Sequence, residues 1–165
     1  MKKLLLNSAK TLRLVGLVIL AGAFTITQTG CNKEGCTEAT ATNFDDEADD
    51  DDGSCIFERD AIIGSYGVIE SCDSTGAGIY TVAITKSSSD FSKVIISPFG
   101  GYFGATGVCT LSGSILTLDN VNGTGIEFSA FTGTVSANGS TISVSYVATD
   151  TNGAPETCIG SWNKQ

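Results

Sequence analysis

Strict alternation along two stretches of its second half limits most strongly what this chain can become. In "YTVAITK", Tyr80, Val82 and Ile84 alternate with Thr81, Ala83 and Thr85; in "TISVSYV", Ile142, Val144 and Tyr146 alternate with Thr141, Ser143 and Ser145. A period of two puts one set on a buried sheet face and the other toward water. Between such runs stand Asn122-Gly123, Asn138-Gly139 and Asn152-Gly153, pairs that accept the positive φ of tight hairpin turns. Residues 61–165 thus read as eight strands, at about 62–72, 78–86, 91–98, 105–111, 114–119, 125–136, 140–149 and 157–163. No helical period occurs outside the leader.

Eight short antiparallel strands build an up-and-down barrel or a sandwich, and the cysteines favour the barrel. Cys72 ends the first strand and Cys158 begins the last. In a closed barrel of even strand number those strands are antiparallel neighbours, so the end of one lies beside the start of the other. Parity agrees, because Cys72 shares a face with Tyr66 and Val68, and Cys158 with Trp162. A Cys72–Cys158 bridge would span roughly 87 residues and pin the barrel where it is most prone to open. Cys109 alternates with Leu111 and is expected inside as a free thiol. A bridge from Cys109 to either of the other two would instead favour the sandwich.

Side chains can just fill an eight-stranded interior. Phe91, Phe128, Phe131, Tyr66, Tyr80, Tyr146 and Trp162 compete for it, so ligand binding is expected only near one open end. The barrel's acidic residues read as falling mainly in strand ends and turns. "GGYFGATG" has neither the following lysine nor the helix that a phosphate loop needs. Its neighbouring aromatics Phe99, Tyr102 and Phe103 would rim the mouth or cap the core. Asp73-Ser74-Thr75 and Ser87-Ser88-Ser89-Asp90 are ordinary turn chemistry.

The N-terminus adds an address. Lys2, Lys3, Lys10 and Arg13 precede or enter an apolar run from Leu14 to Phe24. That run is short of the roughly 20 apolar residues needed to span a bilayer, and the pattern is that of an export signal. It ends in "QTGC", which resembles a bacterial lipobox, where the signal is removed just before a cysteine that then carries lipid. Thr29 and Gly30 fit this resemblance and Gln28 does not. The alternative is plain secretion, with Cys31 as a disulfide partner. Each buried acyl methylene would add about 0.8 kcal/mol to anchoring.

The chain carries nine basic and 18 acidic residues, a formal charge of −9. Without residues 1–30, which hold four basic residues and no acidic one, five basic against 18 acidic leave −13. Phosphate backbones and anionic headgroups would repel so acidic a chain. Nucleic acid is therefore not an expected partner, and membrane attachment is expected through lipid. The absence of histidine excludes His-based triads and histidine zinc sites. Five cysteines follow Cys31, an odd number that leaves one free or paired outside the chain.

Two family resemblances enter on particular residues. "IIGSYGVIESC", a β-meander and "ETCIGSW" together resemble the small lipocalin-like domains of lipoproteins from Bacteroidota. Those domains open on a glycine followed closely by an aromatic; Gly64 and Tyr66 hold these places, with Tyr where Trp is commoner. The resemblance covers most of residues 61–165 and implies a fold rather than a function. "GCTEATATNFDDEADDDDGSCIF" resembles a repeat in secreted proteins of the same bacteria, of the form C-T-x-x-x-A-x-N-aromatic ending in D-D-G-S-C. Cys36, Thr37, Ala41, Asn43, Phe44, Asp51, Asp52, Gly53, Ser54 and Cys55 match it.

That second resemblance implies a surface location, a Cys36–Cys55 staple worth roughly 3 kcal/mol, and calcium binding by analogy with other acidic repeats. Asp45, Asp46, Asp49, Asp51 and Asp52 are the candidate ligands, since calcium prefers oxygen. The EF-hand spacing fails, because Gly53 at its sixth position puts Ala48 first and Arg59 twelfth. A solvated acidic spacer is the alternative. The expected organisation is a lipoprotein signal peptide (1–30), a lipidated cysteine with a disulfide-stapled acidic module (31–60), and an all-β, eight-stranded antiparallel lipocalin-like barrel (61–165). The expected protein is a non-catalytic outer-membrane lipoprotein whose barrel binds a small apolar ligand or a partner. The rivals are a structural or adhesive module that binds calcium, and an enzyme using lone carboxylates, as a glycosidase can.

Overall fold

The computed structural model describes residues 32–165 other than residue 124. The leader and the proposed lipid site Cys31 therefore lie outside the described residues. Two short strands, β1 (Glu34–Gly35) and β2 (Asp50–Asp51), pair in parallel. Eight longer strands follow: β3 (Gly64–Cys72), β4 (Gly76–Lys86), β5 (Lys93–Ser97), β6 (Thr106–Ser112), β7 (Ile115–Asn122), β8 (Glu127–Val135), β9 (Thr141–Thr149) and β10 (Pro155–Lys164). Each pairs antiparallel with the next, and β10 returns to β3, closing the barrel. All eight expected strands are present and the sandwich is excluded.

Alternation does what it promised. Val82 and Ile84 of β4, and Ile142, Val144 and Tyr146 of β9, are buried, while Thr81, Thr85, Ser143 and Ser145 are exposed. Cys72 pairs with Cys158 in the β3–β10 ladder and is bonded to it through a disulfide. Cys109 is a buried free thiol.

One end of the barrel is closed. A 3₁₀ turn, Glu58–Ile62, inserts Ile62 into the core, where Tyr66 and Trp162 are also fully buried. The Tyr66 hydroxyl donates to the Gly139 carbonyl at 2.7 Å. Gly139 has φ +68, and a Cβ there would come within 2.5 Å of the Ala61 carbonyl oxygen, so the Asn138-Gly139 turn has both a conformational and a steric need for glycine. Lys164 donates to the Ala61 carbonyl at 2.9 Å, and Glu58 accepts from the Gly113 amide at 3.0 Å.

The acidic segment packs onto this end, and residues Glu34–Gln165 form one compact unit. Its own small core is Cys36, Ala41 and Phe57 with Cys55. Arg59 is the latch between segment and barrel. It is buried, and its Nη1 donates to the carbonyls of Ser87 and Lys93, both at 2.9 Å, and to that of Asp90. Its guanidinium lies over the rings of Phe57 and Phe91, which stack with centroids 4.4 Å apart.

That latch corrects one expectation. Phe91 is not in the barrel interior: β5 begins at Lys93, Phe91 stays in the preceding loop, and it is about half exposed against Phe57. Phe103 is likewise fully exposed, whereas Phe99 is buried. Replacing Arg59 with alanine would leave three buried or half-buried carbonyls without a charged donor, where such bonds contribute about 1.5–3 kcal/mol. The Arg59→Ala protein should unfold in urea with a stability loss of about 3 kcal/mol. Arg59→Lys should recover only part of it, because one ammonium cannot stack on two rings as the planar guanidinium does.

Candidate functional site

The other end of the barrel is not sealed in the same way. Two irregularities fall at the same level on adjacent strands. On β7 the register against β6 shifts between Val108 and Cys109, leaving Asp119 as an extra residue. On β8 the register against β9 shifts between Ser129 and Thr132, with Ala130 held at φ +50. Bulges of this kind bend a strand and re-aim its side chains. As a result β7 and β8 pair only from Ile115–Thr134 to Thr117–Thr132. Beyond that point the wall parts into a cleft of about 590 Å³, with Leu118, Val121, Ile126 and Phe128 among its lining residues.

The β8 bulge also places Phe128 and Phe131 on either side of Tyr146, with ring centroids at 5.7 and 6.3 Å. Phe128 meets Tyr102 at 5.8 Å and Phe99 edge-on at 5.0 Å. The second 3₁₀ turn, Phe99–Gly101, runs over this cluster through its glycines. A Cβ on Gly100 would meet the Phe128 ring at 2.6 Å, and one on Gly101 the Tyr80 ring at 3.1 Å. Tyr80, Tyr102, Leu118, Val121, Ile126 and Phe128 are all only partly buried. They form the mouth.

Beneath it lies a carboxyl group. Glu70 sits two residues before the end of β3, in phase with Tyr66, Val68 and Cys72, and only 8% of its surface is exposed. Its Oε2 accepts hydrogen bonds from the hydroxyls of Tyr80 and Tyr146, both at 2.8 Å. Its cross-strand neighbours are Gly78 on β4 and Gly160 on β10. A Cβ at Gly160 would come 2.9 Å from the Glu70 Cβ, and one at Gly78 would come 3.4 Å from Oε1. Small residues on both sides make the space that the carboxyl occupies.

The barrel's acidic residues do fall mainly in strand ends and turns, and Glu70, buried and facing inward on β3, is the exception. Glu70 was legible in principle, since it shares the parity of Cys72. What the sequence hid is that two tyrosines from other strands would converge on it. Burial, the neighbouring tyrosine and the Glu70 carboxyl push the Tyr80 phenol well above its usual range. Burial and the same carboxyl do so for Tyr146. Both are therefore neutral hydrogen-bond donors at physiological pH. Burial, with a smaller effect of Asp119, pushes the Cys109 thiol up to about 12, which suits an inert core residue.

The acidic loop has a different character. Cys36 and Cys55 are disulfide-bonded. The Asn43 side chain ties the loop together, donating to the Ser54 carbonyl at 2.8 Å and accepting from the Ile56 amide at 2.7 Å. Asp45, Asp51 and Asp52 each accept a backbone amide two residues on, from Glu47, Gly53 and Ser54. Asp46 and Asp49 are exposed. Among the described residues, the one group of three candidate metal ligands with atoms within 4.8 Å of each other is Cys72, Glu156 and Cys158. Two of those are the disulfide itself, so no thiolate is available there. The five candidate aspartates form no such group in this structure.

Compared with known protein families and with curated proteins, the chain matches none. The fold is a closed eight-stranded barrel, sealed at one end and parted in its wall at the other, with a carboxyl–tyrosine cluster inside. The cluster has a measurable signature. A phenol neutral in the folded state beyond the ordinary value of about 10 loses the unfolded chain's option of ionising. Stability is therefore fully present below that pH and falls as pH rises through it. Phenolate absorbance should be nearly absent from the folded protein at pH 10, and the melting temperature should drop steeply above it.

Proposed function

We propose that this protein is a non-catalytic lipoprotein of the cell envelope, anchored in the outer membrane through lipid on Cys31, whose barrel binds a small apolar ligand. The observation that carries the binding reading is the cleft of about 590 Å³ between β7 and β8, where Leu118, Val121, Ile126 and Phe128 stand among polar residues that include Asp119 and Glu127. That volume is within the range of small-molecule sites. The anchoring reading rests on the charged and apolar leader, on Gly30-Cys31, and on the resemblance of both mature segments to modules of Bacteroidota lipoproteins. Surface display follows from the same resemblance, and protease shaving of intact cells tests it.

Two measurements test the rest. Cys31→Ser should abolish labelling by a fatty-acid probe and membrane retention; unchanged retention and labelling would refute the anchor. An environment-sensitive apolar dye should bind the purified barrel, and Val121→Glu, which puts a charge in the cleft, should weaken binding at least about tenfold. Equal binding by that variant would remove the cleft from the account.

A second reading, a structural or adhesive surface module with calcium on the acidic element, has one feature in its favour. The candidate aspartates sit in a loop made rigid by the Cys36–Cys55 bridge and by Asn43. A bound ion would raise the melting temperature by mass action. Millimolar calcium should do so clearly more than magnesium at equal ionic strength under this reading, and no more than magnesium if the loop is a spacer.

A further inference from the structure

Glu70 is a carboxyl group buried inside the barrel near its parted end, and none of the ion pairs found among the described residues reaches it. Lys86 pairs with Asp60, Lys93 with Asp90 and Asp119, and Lys164 and Arg59 with backbone carbonyls. Two neutral hydroxyls serve one oxygen of the carboxyl, and among the described residues no donor reaches the other, Oε1. A buried carboxylate is costly unless paired as well as hydrogen-bonded. Yet the flanking Gly78 and Gly160 make room for it rather than shielding it with side chains.

The surroundings suit a positive charge. Tyr146, Phe128 and Tyr102 follow one another at centroid distances of 5.7 and 5.8 Å, and the turn carrying Gly100 and Gly101 touches both Phe128 and Tyr80. Aromatic faces attract ammonium groups, more so when water is excluded. Three of these rings are partly buried at the mouth and the fourth is buried beside the carboxyl. Phe128 belongs to both the cluster and the cleft.

We propose that the barrel's ligand is a cationic amphiphile, its ammonium head held by Glu70 Oε1 among Tyr80, Tyr102, Phe128 and Tyr146, and its apolar body lying along the β7–β8 cleft. This rests on the reading of the barrel as a binder of small apolar ligands and adds the charge of the head. A neutral apolar molecule would fill the cleft but offer Oε1 no charged partner. An anionic one would meet the carboxyl and the acidic surface, so the site discriminates by head group.

Three probes of equal chain length separate the possibilities: octyltrimethylammonium, octanol and octyl sulfate. Each is titrated calorimetrically below its micelle concentration, at physiological ionic strength to screen the protein's net charge. The wild-type protein should bind the ammonium probe at least about tenfold more tightly than octanol, with octyl sulfate weakest. Glu70→Gln, which keeps the shape and an acceptor for the tyrosines, should lose that preference while binding octanol as before. Asp46→Asn, a charge change on the exposed acidic loop at the opposite end of the barrel, should keep it, which controls for nonspecific attraction to an acidic protein.

Equal wild-type affinity for ammonium and octanol would overturn the proposal while leaving the apolar-ligand reading intact. So would an undiminished preference in Glu70→Gln. Binding of none of the three would overturn both. The wild-type comparison decides by itself should Glu70→Gln fail to fold.

Discussion

The ladder joining the last strand to the first fixes everything inside this molecule. Seven residue pairs, from Cys72–Cys158 to Tyr66–Lys164, bind β3 to β10. They determine that Tyr66, Val68, Glu70 and Trp162 face inward; a slip of one residue would turn each of them to solvent. One end of the ladder is covalent, and the chain-entropy model assigns a bridge of this span roughly 4–5 kcal/mol. The other end is held where the Gln165 amide donates to the Ser65 carbonyl and Lys164 reaches the Ala61 carbonyl.

With that seam fixed, the two barrel ends take different roles. The end beneath the 3₁₀ turn Glu58–Ile62 is filled by Ile62, Tyr66 and Trp162 and covered by the acidic segment. Arg59 makes that cover part of the fold, because its partners are backbone carbonyls of the barrel rather than other side chains. Opposing bulges on β7 and β8 leave the other end parted. Ala130 stands there at φ +50, a left-handed conformation that costs a non-glycine residue of order 1–3 kcal/mol and is commonest where function requires it. The closed end and the Cys72–Cys158 bridge, which lies at the parted end, together hold the barrel while the β7–β8 wall is irregular.

Most of the architecture was legible in the residues, for identifiable reasons. Period-two alternation marked β4 and β9, Asn-Gly pairs marked three hairpins, and the parity of Cys72 and Cys158 with Tyr66 and Trp162 marked closure. What escaped was anything decided by two distant segments at once. Phe91 looked like a core aromatic until Arg59, 32 positions earlier, drew it onto Phe57. The β7–β8 parting depends on bulges that no local pattern announces, since neither Asp119 nor Ala130 is a glycine or proline that would mark one. Glu70 carried the right parity, but its meaning came from Tyr80 and Tyr146, 10 and 76 positions away. Asn43 matched a repeat pattern, and only the fold shows that it works by bonding Ser54 and Ile56.

The central claim is a barrel welded at β3–β10 and open at β7–β8. Residue-resolved amide hydrogen exchange tests it most directly, because protection follows the local free energy of opening. The β3 and β10 amides from Val68 to Cys72 and from Cys158 to Trp162 should exchange only with global unfolding. Cleft-facing amides within Leu118–Asn122 and Glu127–Ser129 should exchange orders of magnitude faster, while Ile115–Thr117 stay protected. Uniform slow exchange across both β7 and β8 would mean that the wall is continuous, and would contradict the account.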